Sequence, residues 1–335
     1  MFIRISKVRF ILVVSLMSMG SALSLAQSTE FEMPRTYWGA PDLQGTWTNN
    51  TITPFTRPAR FGDQLVLSEQ EAREWERDVA AYTQEQDQPS DPNRGAPDKD
   101  RIELADSYNN FWFDDGTSVA MYNGEYRSSL LVDPADGQLP EYTPEATARI
   151  SAEREQRQLL GAFDGPESRP LPERCLLSFG SSSGPPMLPI LYNNHYQIVQ
   201  SPGYVMILVE MVHDARIIRI DDERLPEEFN SWMGDSIGRW EGDTLVVETT
   251  RFHPLQQFRN SSEEFKVVER FTRVADGTIN YSFTASDPKT FIRPFTAEMP
   301  LNRAEDRLYE YACHEGNYSL PGVLAGARLD EVSED

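Results

Sequence analysis

From residue 191 to residue 313 the chain is a succession of strand-length apolar runs separated by tight turns. Residues 191–200 and 204–213 flank Ser201-Pro202-Gly203, and 216–220 follow after Asp214-Ala215. Residues 238–241 and 244–250 flank Gly242-Asp243, a two-residue turn with glycine in the first position. Residues 265–274 and 279–285 flank a turn holding Asp276-Gly277, and 295–301 are expected to pair with 308–313. Side chains alternate faces along a strand, so Ile279, Tyr281, Phe283 and Ala285 share one face, and Asn280, Ser282 and Thr284 share the other. An apolar face must be covered and open edges must be managed, which closure of the sheet does at once. The expected fold class is therefore mainly β, an antiparallel meander closing into a β-barrel over residues 175–335. A two-sheet sandwich is the alternative.

The stretch 27–174 has a different texture and is expected to wrap that barrel as part of one compact unit, with two independently folding domains as the alternative. Pro34, Pro41, Pro54 and Pro58 surround Gly45-Thr46-Trp47-Thr48, which reads as one short strand in an extended segment. Ser68 with Glu71 forms a capping box, and Ala72, Trp75, Val79 and Tyr82 carry a helical period to residue 85. Residues 86–100 have no apolar period and read as a loop, followed by the aromatic cluster Tyr108, Phe111, Trp112 and Phe113. A strand is expected over 127–132 and a turn over 133–137. Thr143 as N-cap with Pro144 at the first helical position opens a second helix that Gly161 closes. Both helices are thus expected at the barrel periphery.

The first 26 residues read as a cleavable secretory leader. Arg4, Lys7 and Arg9 precede an apolar run over 10–19, and Ser24-Leu25-Ala26 ends it with a small-x-small cleavage pattern, the cut falling after Ala26. The run is shorter than the roughly 20 residues a bilayer span needs, and no later stretch is apolar enough, so no membrane span is expected after processing. Losing the three basic residues takes the formal charge from −22 to −25, a surface that repels nucleic acid and anionic lipid. The expected location is the periplasm or the exterior. Cys175 and Cys313 are the two cysteines, and in an oxidising compartment such a pair is expected to form a disulfide; two buried thiols or a nucleophilic cysteine are the alternatives.

Three stretches carry a family resemblance: EMVHDARII at 210–218, GRWEGDTLVVET at 238–249 and YEYACHEGNY at 309–318. Together they resemble a family of exported bacterial proteins of uncharacterised function. The resemblance runs from PDLQGTW at 41–47 to AGAR at 325–328 and implies no catalytic assignment. Gly45-Thr46-Trp47 at the head of a β protein is similar to the opening of lipocalin-like barrels, in which the tryptophan plugs one end. That likeness implies a lipocalin-like form of the barrel, and a fold alone sets no function.

Chemistry is concentrated in three histidines in or beside apolar strands, His195, His213 and His314. Imidazole serves as general base or metal ligand near neutral pH, and Asp214 and Glu315 are sequence neighbours of the latter two. Neighbours on one strand point to opposite faces, so structural histidines bonded to backbone are the alternative. His253, before Pro254, is the least suited. No His-Glu-x-x-His or paired-cysteine spacing is present, so neither metal nor cofactor is expected. Arg216 and Arg239 offer forks for an anionic group, Glu210 accompanies them, and cross-strand ion pairing is the competing use. Gly180-Ser181-Ser182-Ser183-Gly184 departs from a nucleophile elbow, with Pro185-Pro186 where a helix must begin. Tyr204 and Trp240 are expected as aromatic binding walls, with Tyr196 and Tyr311 as proton donors.

These observations favour a small-molecule protein doing cofactor-independent acid/base chemistry of lyase, isomerase or hydrolase type in an aromatic-lined barrel cavity. His213 or His195 is the expected base and His213 the foremost site residue. The alternative is a periplasmic protein that binds its ligand without turnover. The sequence fixes no oligomeric state.

Overall fold

A computed structural model describes residues 31–86, 113–114, 116–159, 161–178, 184–305 and 307–334. The leader, Tyr108, Phe111, Trp112 and the serines at 181–183 lie outside the described residues. In chain order the elements are β1 (Gly45–Thr48), β2 (Val66–Leu67), α1 (Glu69–Gln86), β3 (Met121–Tyr122), β4 (Glu125–Arg127), β5 (Leu131–Asp133) and α2 (Pro144–Leu159). The strands β6 (His195–Ser201), β7 (Tyr204–Val209), β8 (Ala215–Ile220), β9 (Asp235–Glu241), β10 (Thr244–Thr250), β11 (Lys266–Ala275), β12 (Thr278–Ser286) and β13 (Phe295–Arg303) follow. A single helical turn α3 (Cys313–Gly316) and a helix α4 (Ser319–Glu334) end the chain.

Nine strands pair in the order β1-β6-β7-β8-β9-β10-β11-β12-β13, and β1 pairs again with β13, closing the ring. The fold is thus the expected β-barrel with peripheral helices. Both N-terminal helices start at their caps. The Ser68 amide donates to Glu71 Oε2 at 2.8 Å while the Glu71 amide donates back to Ser68 Oγ at 3.2 Å, and Thr143 Oγ1 accepts from the Ala146 amide at 3.0 Å. Helix α1 packs Ala72 and Trp75 against Leu67 and Val119 in a small satellite core beside the three-stranded sheet β2-β4-β3.

Several details differ from the sequence expectation. The meander is not antiparallel throughout, because β8 and β9 run parallel through Ile218↔Ser236 and Ile220↔Gly238. A closed ring with an odd number of strands cannot alternate direction at every step, and residues 221–234 make the longer crossover a parallel pair requires. At the crowded inward position of β9 a Cβ on Gly238 would lie 2.8 Å from both Ile218 and Ile220. The barrel also draws a stave from the N-terminal stretch, since β1 pairs with both β6 and β13. Residues 308–312 form no strand. One edge of β13 is taken by β12, and the other is shared between β5 at Thr296–Ala297 and β1 at Asn302–Arg303, so no edge is left for them. Helix α4 is an element the sequence reading did not anticipate.

Strand β7 ends at Val209 rather than continuing to His213. Val212 and His213 adopt left-handed backbone (φ +64° and +49°), and the Val209 amide closes the reversal on the Asp214 carbonyl at 2.9 Å. Met211 and Val212 are both buried, so the apolar run continues where the pleat stops.

The barrel interior is filled by side chains. Arg216, 2 % exposed, forks onto the fully buried Glu269, with Nη1 to Oε1 at 3.0 Å and Nη2 to Oε2. Its Nε donates to Ser236 Oγ at 3.0 Å and its Nη2 to Thr249 Oγ1 at 2.8 Å. The Tyr281 hydroxyl donates to Glu269 Oε1 at 2.8 Å and accepts the Met187 amide at 3.0 Å. Residues 184–188, all buried, thereby stop the barrel at the end where β6 begins. Burial, and the Glu269 carboxylate beside it, push the Tyr281 phenol well above its ordinary pKa. At Trp47, fully buried, the guanidinium groups of Arg303 and Arg273 lie 4.9 and 5.7 Å from the ring centroid.

Candidate functional site

The first residue of β6 and the residue after β7 meet at the rim of the barrel. The hairpin register Ser201↔Tyr204 runs to Tyr196↔Val209, so one step further His195 stands opposite Glu210, and the Glu210 amide donates to the His195 carbonyl at 3.0 Å. Tyr196 and Ile198 point into the barrel and are buried; His195, one residue earlier, therefore points outward. Its Nδ1 lies 3.0 Å from Glu210 Oε2. The imidazole is 19 % and the carboxylate 2 % exposed.

Burial acts to raise the Glu210 pKa, but hydrogen bonds from His195, the Tyr309 amide and Asn193, with the charge of the imidazole, outweigh it and hold it below the ordinary glutamate value. The Tyr309 amide reaches Oε1 at 2.9 Å. An ionised carboxylate only accepts, so Nδ1 must carry the proton of the His195–Glu210 bond and Nε2 is the basic nitrogen of the neutral ring. An imidazole oriented in this way through Nδ1 by a buried carboxylate is the arrangement general bases use.

The pair lines an open pocket of about 1280 Å³ on the outer side of the rim. Tyr192 and Asn193, which precede β6, line it with His195 and Glu210, and Phe113, Asp114, Arg169, Glu173 and Cys175 complete the lining from the N-terminal half and the stretch before β6. The roof is the C-terminal segment, with Tyr309, Glu310, Tyr311 and Cys313 followed by the first turns of α4. The Cys175–Cys313 disulfide, Cα atoms 5.7 Å apart, ties that roof to the wall.

Of the residues singled out by sequence, the pocket gathers His195, Glu210, Tyr311, Cys175 and Cys313. The rest lie elsewhere. His213 is exposed in the turn after β7, and His314 is exposed on α3; neither lines the pocket. Tyr196 is fully buried inside the barrel, where Asn49 Nδ2 donates to its hydroxyl at 3.3 Å and burial raises its pKa. Arg216 belongs to the interior ion pair. Tyr204 lies at the far end of β7 beside the Ser201–Tyr204 turn, half exposed. Arg239 is held by Glu241 at 2.7 Å, with Trp240 next to it on β9 and packed against the core. The pocket that gathers His195, Glu210 and Tyr311 lies at the rim, while alternation along the strands turns Arg216, Ile218 and Tyr196 into the interior.

Asp114, Asn193 and Arg169 were not singled out by sequence, since each sits in a segment without periodicity. The His195–Glu210 pairing had a signal: counting back from the Pro202-Gly203 turn places the two opposite each other. Among the described residues no group of three His, Cys, Asp or Glu side chains is placed to hold a metal ion, and no helix is long and apolar enough to cross a membrane. Comparison of the chain with protein-family models, with curated proteins and with solved structures finds no match.

Proposed function

We propose that this is an exported enzyme that performs cofactor-independent acid/base chemistry on a small organic molecule in the rim pocket. His195 is the general base, Glu210 the carboxylate that orients it, and Tyr311, which lines the same pocket, the proton donor. The observation carrying this reading is the 3.0 Å His195–Glu210 contact in the lining of the pocket. A catalytic imidazole needs a fixed tautomer and access to substrate, and this contact supplies the first beside a pocket that supplies the second. Export is supported by the leader sequence and by the Cys175–Cys313 disulfide.

The test is turnover by the purified mature protein of a panel of hydrolysable, dehydratable and epimerisable small molecules, alongside His195→Gln and Glu210→Gln. Loss of a positioned base costs about 10²- to 10⁴-fold in rate, so His195→Gln is expected to lose at least about 10²-fold in kcat with its circular dichroism unchanged. Glu210→Gln is expected to lose less and to alter the pH profile. Full activity in His195→Gln overturns the assignment. Ligands that bind the wild type without any turnover establish the non-catalytic binding protein instead.

A further inference from the structure

We infer that the pocket takes an organic cation with N–H donors, an amine or guanidinium compound, seated against Asp114 between aromatic side chains. The inference rests on the rim pocket being the ligand site, as proposed above, and adds the charge of what enters it.

Among the described residues the pocket has no guanidinium to spare for an anion. Arg169 is the one arginine among them that lines it, and its fork is spent on Glu173, with Nε to Oε2 at 2.7 Å and Nη2 to Oε1 at 2.9 Å. Its remaining nitrogen, Nη1, donates to the Ala162 carbonyl at 3.1 Å. The other two arginines considered from sequence are committed as well, Arg216 to Glu269 inside the barrel and Arg239 to Glu241 on β9.

Among the described residues, four carboxylates line the same pocket: Asp114, Glu173, Glu210 and Glu310. Glu173 is neutralised by Arg169, and Glu210 is bound to His195 and the Tyr309 amide. Asp114 is different. Its backbone is fixed by its own amide on the Leu191 carbonyl at 2.6 Å and by Asn194 Nδ2 on its carbonyl at 2.9 Å. Asn50 Nδ2 donates to Oδ1 at 2.6 Å. The second oxygen, Oδ2, is buried and has no hydrogen-bond donor among the described residues. A buried carboxylate oxygen lacking a donor is costly, and a ligand N–H reaching it from the pocket would relieve that cost.

The surroundings suit a positive charge. Phe113, Tyr192, Tyr309 and Tyr311 line the pocket, and aromatic faces attract ammonium and guanidinium groups. A net charge of −22 adds a field that concentrates cations and repels anions.

The test is calorimetric titration of the mature protein with four probes of one shape: 2-phenylethylamine, 2-phenylethanol, phenylacetate and trimethyl(2-phenylethyl)ammonium. A charge-assisted hydrogen bond corresponds to about tenfold or more in affinity. The amine is therefore expected to bind at least about tenfold more tightly than the alcohol and than the quaternary ammonium, which lacks N–H, with phenylacetate weakest. Asp114→Asn is expected to remove the preference for amine over alcohol. If the wild-type protein binds alcohol or phenylacetate as well as amine, the inference fails, whatever the variant does. An amine preference that survives Asp114→Asn in a folded variant overturns the role of Asp114. His195→Gln separates the two proposals: amine selectivity persisting while turnover is lost supports both. Turnover persisting in that variant sinks the catalytic reading and leaves the ligand charge standing.

Discussion

Glu210 is a carboxylate with more donors than its burial can offset, and its net shift makes a pH-dependent contribution to stability. Its folded pKa lies below the ordinary glutamate value because of His195, the Tyr309 amide and Asn193, despite desolvation. The stabilisation is complete above the unfolded pKa of about 4.3 and is lost as pH falls through the lower folded value. Urea midpoints measured between pH 7 and pH 3 should therefore show Glu210→Gln below the wild type by a constant margin near neutrality. The two profiles should converge below about pH 4, as the wild-type carboxylate protonates. Parallel acid limbs would show that the pair does not titrate as described. At this scale the sequence named His195 and Glu210 but did not join them. It grouped Glu210 with Arg216 and ranked His213 first, because the run 204–212, apolar but for Glu210, resumes with Met211 and Val212 and so does not show where the pleat ends. The left-handed backbone at Val212 and His213 turns that histidine away from the rim, and left-handed valine is a conformation local propensity disfavours.

The strands themselves were legible where their faces differ. The period-two alternation of β12 and the turns at Gly203, Gly242 and Gly277 place β10 to β13, and the turn ends of β6 and β7, close to their observed bounds, because alternation and turn chemistry are local properties; the other ends of β6 and β7 fall four residues short of the expected 191 and 213. Pairing is not local. The parallel β8–β9 contact depends on ring closure, and the missing partner at 308–312 depends on which edges of β13 were already filled. The same parity that located β8 also fixes what Arg216 does. Sharing a face with Ile218, it is committed to the interior, where it meets Glu269, so a residue read as a substrate clamp is a buried structural ion. Arg216→Met leaves Glu269 buried without its cation and is expected to cost about 3–5 kcal/mol in urea denaturation. Replacing both, as Arg216→Met with Glu269→Leu, removes the uncompensated charge and is expected to recover most of that loss, because apolar replacement of a whole buried pair is often neutral. A double variant as unstable as the single one would show that Ser236, Thr249 and Tyr281, deprived of their partners, dominate the network.

Across the whole molecule the barrel and its appended segments depend on the disulfide to different degrees. Cys175 and Cys313 lie 138 positions apart in sequence, and on the chain-entropy model closing such a loop constrains the unfolded state by roughly 4–5 kcal/mol. All the strands from β6 to β13 lie within that loop and are held by ladder hydrogen bonds around a closed ring. The segment after β13 has far fewer ties. Besides the disulfide, the ties seen among the described residues include Ala304 to the Thr46 carbonyl, Tyr309 to Glu210, Asn317 to the Glu173 carbonyl and Cys175 Sγ, Arg328 to the Phe163 and Asp164 carbonyls, and Tyr311 packed against the barrel core. Losing the bond should therefore lower global stability and, in the native state, loosen mainly the roof of the pocket. The mature protein, denatured without reductant, is expected to show no free thiol on labelling. Cys175→Ser with Cys313→Ser is expected to fold with its barrel amides still protected from hydrogen exchange while residues 307–334 exchange faster by an order of magnitude or more. Because the Tyr309 amide is one of the donors to Glu210, the same variant should also weaken the His195–Glu210 site and its ligand binding. Exchange that rises equally in β6 to β13, or an unchanged rate in 307–334, would contradict a barrel that stands by itself beneath a roof held by one covalent tie.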